Sequence, residues 1–134
     1  MDNPFFNIVC VDSMKLLSRA FRSAVNDSED KERTVVLVQS FFKYKKASND
    51  NNDFSVYEIL CSNPGVHELT EKSIENPIRS TIPLTSILKY KGLETNMGRL
   101  ILPTECPSSN IDNSIFEIYV GITRAMMNLH IILF

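Results

Sequence analysis

Two stretches of this 134-residue chain place charged side chains where a ligand could meet them. In "SILKYKGLE", Ser86 to Glu94, an apolar run passes into Lys89, Lys91, Gly92 and Glu94. A glycine there lets backbone come close to a ligand. The two lysines and the backbone N–H groups suit phosphate oxygens, and the carboxylate can accept hydrogen bonds from sugar hydroxyls. A Lys-Gly turn after a strand is also ordinary loop chemistry. The second stretch, "EIYVGITRAMMNLHIILF", runs from Glu117 to Phe134 and holds a lone arginine, Arg124, between helical spacing and a strand-like run. An arginine at a helix C-terminus complements the helix dipole without any ligand. Its planar fork can equally grip phosphate oxygens, which lysine cannot do in the same geometry.

The elements that must position these groups alternate along the chain. "FNIVCV" (Phe6–Val11) reads as a strand buried on both faces. Asp12 and Ser13 supply N-cap chemistry, and Met14, Leu17, Phe21, Ala24 and Val25 fall on one face of a helix. Asn26–Arg33 reads as a solvated connection, and "TVVLVQS" (Thr34–Ser40) as a second buried strand rich in β-branched residues. "FFKYKK" opens a helix or tight turn, and Ala47–Asp53 is a polar loop. "FSVYEILCS" fits helix or strand by length and is read as helix. Asn63-Pro64-Gly65 is a turn, and Val66–Arg79 reads as a short helix or irregular connection. "STIPLTSIL", "RLILP" and "NLHIILF" are three more strands, with helical spacing through Ile115, Ile118, Tyr119 and Ile122 before the last. Non-alternating strands separated by helical segments predict one domain, residues 1–134, with a parallel α/β sheet and helices on both faces. Ligands of such sheets meet the loops beyond the carboxyl ends of the strands.

Composition narrows the function. Fourteen Lys and Arg against sixteen Asp and Glu give a net charge of −2. No global basic field exists to drive nucleic-acid binding, although a local patch remains open. The three cysteines, Cys10, Cys61 and Cys106, lie far apart without a CxxC, which points to a reduced protein with neither a disulfide framework nor a zinc site. His67 and His130 are isolated, so no metal centre is expected. No apolar run reaches membrane-spanning length and the N-terminus lacks signal-peptide character, so an intracellular location, cytoplasmic or nuclear, is expected. The run Lys43, Lys45 and Lys46, interleaved with Phe41, Phe42 and Tyr44, fits a basic–aromatic nucleic-acid surface. The reading preferred here is a solvated face with aromatic anchors. Met126 and Met127 fit a partner contact or simple packing.

Taken together, the two charged stretches resemble motifs V and VI of UvrD/Rep-type superfamily 1 helicases. Lys91-Gly92-Leu93-Glu94 matches the K-G-L-E of motif V, and Tyr119–Ala125, "YVGITRA", matches motif VI throughout. The resemblance is close over about the last fifty residues and architectural before them. It implies the second RecA-like motor domain (2A) of an ATP-driven DNA helicase, a P-loop NTPase-type fold without the P-loop. In that family the nucleotide binds between two RecA-like domains. The resemblance makes Arg124 the arginine finger to the γ-phosphate and Gly92 and Glu94 the sugar-side nucleotide contacts. Ser86, Lys89 and Lys91 become contacts to single-stranded DNA. ATP and Mg²⁺ would be held only when an N-terminal motor domain completes the site.

The departures from the pattern define the alternatives. No G-x-x-x-x-G-K-[ST] and no acidic pair after a strand occur, so negligible ATPase activity is expected from this chain alone. The motif V threonine is Ser86, its histidine is Leu88, and the arginine common at the end of the second strand is Gln39. The N-Y-R-S-like motif IV is absent, with only a faint echo in Phe21-Arg22-Ser23. A helicase-like interaction module without motor activity, or a plain α/β domain, would carry the same departures.

Overall fold

The computed structural model describes residues 5–29, 31–47, 54–70, 80–86, 98–105 and 128–134. Among them six strands form one sheet: β1 (Phe5–Cys10), β2 (Thr34–Val38), β3 (Val66–Glu68), β4 (Ile82–Ser86), β5 (Arg99–Thr104) and β6 (Asn128–Leu133). Their order is β1-β6-β5-β2-β4-β3, and every pairing is parallel. The α/β class with a parallel sheet, expected from the sequence, is therefore the one observed.

β2 explains why the strands read as unbroken apolar runs. All five of its residues are buried, because a parallel strand in mid-sheet has protein on both faces. Period-two alternation divides the core into two layers. Val36, Val38, Ile82, Leu84, Ile101 and Ile132 share one layer with the two described helices, α1 (Met14–Asn26) and α2 (Val56–Cys61). Val35, Leu37, Leu100, Leu102, Leu129 and Ile131 form the other. The helices expected on that second face fall in 106–127, outside the described residues.

Helix α1 forms as its sequence suggests. Ser13 is the N-cap and its Oγ accepts from Leu16 N at 3.2 Å, satisfying one of the orphan amides of the first turn. Leu17, Phe21, Ala24 and Val25 are its buried stripe. Helix α2 is only six residues long but is closed by a capping box. Ser55 Oγ accepts from Glu58 N, and Glu58 Oε1 accepts from Ser55 N, both at 3.2 Å. In the Asn63-Pro64-Gly65 turn, Asn63 Oδ1 accepts from Gly65 N at 2.7 Å. A Cβ on Gly65 would sit 2.6 Å from Val25 Cγ1, so glycine is what lets this turn tuck under α1.

Two expectations are corrected. Val66–Glu68 is a strand rather than a helix or irregular link, since its backbone pairs with Ile82–Leu84. Three residues are too few to show a period, and the pairing partner lies across the 71–79 stretch. The first strand, read from the sequence as buried on both faces, is instead an edge strand paired on one side only, with Ile8 49% exposed and Cys10 exposed. The Asn26–Arg33 connection is largely exposed, as expected, apart from one residue. Ser28 is buried and its hydroxyl donates to Ala24 O at 2.9 Å, closing the end of α1. No helix among the described residues is long and apolar enough to cross a membrane.

Candidate functional site

The connections that leave the neighbouring strands β2 and β5 run in opposite directions across the sheet. The chain moves from β1 across to β2 and on to the edge strand β3, then steps back through β4, β5 and β6. In open α/β sheets the loops part at such a reversal, and the crevice beyond the carboxyl ends of the strands is the usual ligand position. Here that position is occupied by Gln39, the residue immediately after β2 and 1% exposed. Its Oε1 accepts from Thr104 Oγ1 at 2.9 Å and from Glu105 N at 2.6 Å, and its own N–H donates to Pro103 O at 3.3 Å. The side chain therefore clasps β2 to β5.

The 3-10 turn Ser40–Lys43 leaves the rim beside this clasp. Phe42 points into the core, fully buried and edge-on to Phe134 with ring centroids 6.1 Å apart. Lys45 Nζ lies 4.4 Å from the Phe134 centroid and 5.9 Å from that of Phe42, and Lys43 Nζ lies 5.0 Å from that of Tyr57. These two lysines thus rest on aromatic rings, where cation–π attraction holds them. The expectation of aromatic anchors beneath a charged surface is met at Phe42. Phe41, Tyr44 and Phe54 instead remain exposed, at 45, 82 and 54%.

Below the turn, Tyr57 OH donates to Glu68 Oε2 at 2.9 Å, in a cleft of about 570 Å³ that Cys61 also lines. Burial, then the Glu68 hydrogen bond, pushes the Tyr57 phenol upward. Burial, then the Glu68 charge, pushes the Cys61 thiol up to about 11. The Cys61 thiol is therefore held protonated at neutral pH, which disfavours the reactive thiolate.

Between β1 and β6, Asn7 Nδ2 lies within hydrogen-bonding distance of His130 Nδ1, at 3.3 Å. Burial, then the Arg99 charge, lowers the His130 pKa. Arg99 Nη2 donates to Ala24 O at 3.5 Å, while Arg99 Nε and His130 Nε2 are buried without a hydrogen-bond partner. His67 is lowered by burial, with Nδ1 2.7 Å from Thr81 Oγ1. The described residues contain no group of three or more His, Cys, Asp or Glu arranged to hold a metal ion.

Of the residues singled out in the sequence, Ser86 is described. It is the last residue of β4, buried and in register with Val38 at the carboxyl rim. Lys89, Lys91, Gly92, Glu94 and Arg124 lie outside the described residues, as do Cys106, Met126 and Met127. The described flanks bracket them. The stretch with Gly92 and Glu94 begins after Ser86 at the carboxyl rim and rejoins at Gly98, whose N–H donates to Arg33 O at 2.7 Å. The stretch with Arg124 rejoins at Asn128, the amino end of β6, in register with Arg99. Sequence reasoning missed the Gln39–Thr104 clasp, which joins positions 65 apart. It also passed over Lys15 and Arg19 on α1 and weighed Arg22 only as a faint motif IV echo, although their spacing of four and three is visible in the sequence.

Fold and rim together define an all-parallel α/β domain whose connections part between the clasped neighbours β2 and β5. The C-terminal domain of a possible DNA helicase from Lactobacillus plantarum WCFS1 shares this fold with a TM-score of 0.62. The match covers 99% of this chain and 75% of that one at 17% sequence identity. No family model matches the sequence, and no curated protein does.

Proposed function

We propose that this chain is the C-terminal RecA-like domain of a UvrD-like, ATP-dependent DNA helicase. In this reading it completes the nucleotide site of an N-terminal motor domain and contacts single-stranded DNA. The supporting observation is the agreement of two independent features. The fold is shared along nearly its whole length with a domain whose own description is the C-terminal part of a possible DNA helicase. The K-G-L-E and Y-V-G-I-T-R-A stretches fall in the connections after β4 and before β6. Arg124 then stabilises charge developing on the γ-phosphoryl group, and Glu94 with Gly92 meets the sugar side of the nucleotide. Ser86, Lys89 and Lys91 lie towards the strand. ATP and Mg²⁺ are held only when the N-terminal motor domain supplies its phosphate loop and metal-binding acids.

The test joins the chain to such a motor domain and follows ATP hydrolysis with and without single-stranded DNA. The motor reading expects turnover that depends on DNA. Arg124→Ala should lower it about 10³–10⁵-fold without loss of nucleotide binding. Equal turnover in both proteins would remove the reading.

One observation favours a second reading, a helicase-like interaction module without motor activity. The position where the family often carries an arginine is Gln39, and its carbonyl is committed to holding β2 against β5. That module would give no DNA-dependent turnover in any combination.

A further inference from the structure

Helix α1 carries Lys15, Arg19 and Arg22 and no carboxylate in thirteen residues, within a chain whose net charge is −2. All three are exposed, and all three line a groove of about 360 Å³ between α1 and the end of α2. Ser18, Ser62 and Asn63 contribute polar groups to the same groove, and among the described residues no acidic side chain lines it. Among the described residues none of the three cations forms an ion pair. Asn63 Oδ1 is already held by the Gly65 N–H, so what its side chain can still offer a ligand is the amide Nδ2. At about 1.5 Å rise per residue the cations follow one another at roughly 6 and 4.5 Å along the helix, a ladder about 10 Å long.

We infer that this groove binds the phosphate backbone of a single nucleic-acid strand, independently of its sequence. Regularly spaced cations beside hydroxyl and amide donors are the chemistry of backbone contact, which positions a strand and reads no base. The floor argues against a protein partner. Phe21 and Leu60 are each 1% exposed, so they are sealed beneath the polar heads. The large exposed apolar side chains among the described residues, Ile8, Leu16, Phe41, Tyr44 and Phe54, do not line the groove. Protein interfaces gain most of their affinity from large apolar or aromatic anchors, whereas the apolar surface of this groove's described lining comes from half-buried Ile59 and from Pro64. The inference shares the nucleic-acid part of the proposed function and is independent of its ATP part.

Fluorescence anisotropy of the whole chain with a labelled twenty-nucleotide oligo-dT, from 50 to 200 mM salt, tests it. Three phosphates neutralised on a single strand give a salt slope of about −2, so affinity should fall roughly 20-fold over that range. K15E/R19E/R22E should remove that slope and weaken binding at least 10-fold at 50 mM salt, with the thermal midpoint unchanged. Should the triple variant fail to fold, R19Q/R22Q should lower the slope magnitude by about 1.4. Unaltered binding by a folded variant would overturn the groove. So would absence of strand binding by the wild type at 50 mM salt, or equal competition by a poly-glutamate peptide. A chain that completes ATP turnover but binds no strand here would refute the groove alone. Strand binding through the groove without ATP turnover would refute only the motor reading.

Discussion

Two sets of cations lie on this molecule, and their surroundings differ. After β2, Lys43 and Lys45 stand among aromatic residues, and the structure places their ammonium groups over the rings of Tyr57, Phe42 and Phe134. On α1, Lys15, Arg19 and Arg22 have no exposed aromatic neighbour in their groove and no ion-pair partner among the described residues. The first set has the composition of a nucleic-acid surface, yet two of its charges are tied to the protein's own core. The second set looks like an ordinary solvated helix face, yet its charges converge on an open groove. A cation is available to a ligand according to what already holds it, and sequence composition does not report that.

Removing the ring support should give the largest effect. Phe42→Ala empties a fully buried site that packs edge-on to Phe134 and underlies Lys45. The expected loss is about 3–5 kcal/mol, read as a lower urea midpoint or a fall of roughly 10–20 °C in Tm. Wild-type stability in that variant would mean that the turn after β2 is not anchored as described. The clasp at the rim comes next. Gln39→Ala leaves the Thr104 hydroxyl and the Glu105 amide without their acceptor, at a cost of about 1–3 kcal/mol. Chemical denaturation would show it, and hydrogen exchange should quicken at Glu105 ahead of the sheet as a whole. The smallest effect separates the two cation sets most sharply. Lys45→Met removes a charge 4.4 Å from the Phe134 centroid and should cost about 0.5–1 kcal/mol. Its oligonucleotide affinity should stay within about twofold of wild type. A larger loss of affinity would mean that the ring-bound lysines also face the strand, and the contrast between the two sets would fall.

Much of the fold was legible because buried parallel strands leave a strong trace. β2 reads as five consecutive apolar or β-branched residues, and all five are buried. The stripe of α1 and the Ser13 cap were equally plain, since both depend only on neighbours three or four residues away. The Ser55–Glu58 capping box is another such local signal, and it resolves the helix-or-strand ambiguity of that segment. β3 was illegible because its identity comes from pairing with Ile82–Leu84 rather than from its own three residues.

The candidate site divides in the same way. The K-G-L-E and Y-V-G-I-T-R-A stretches could be found by residue type and spacing, and they carry the helicase reading. Their own geometry lies outside the described residues, so the structure contributes the rims at which their flanks attach. The sequence by itself determined where strands and helices run, how helices begin, and which residues could meet a phosphate. The tertiary structure decided the strand order, the clasp between Gln39 and Thr104, and which cations are covered by rings and which line an open groove. Local rules act through a few bonds of backbone, whereas these properties depend on residues tens of positions apart meeting in space. No pattern along the chain records that meeting.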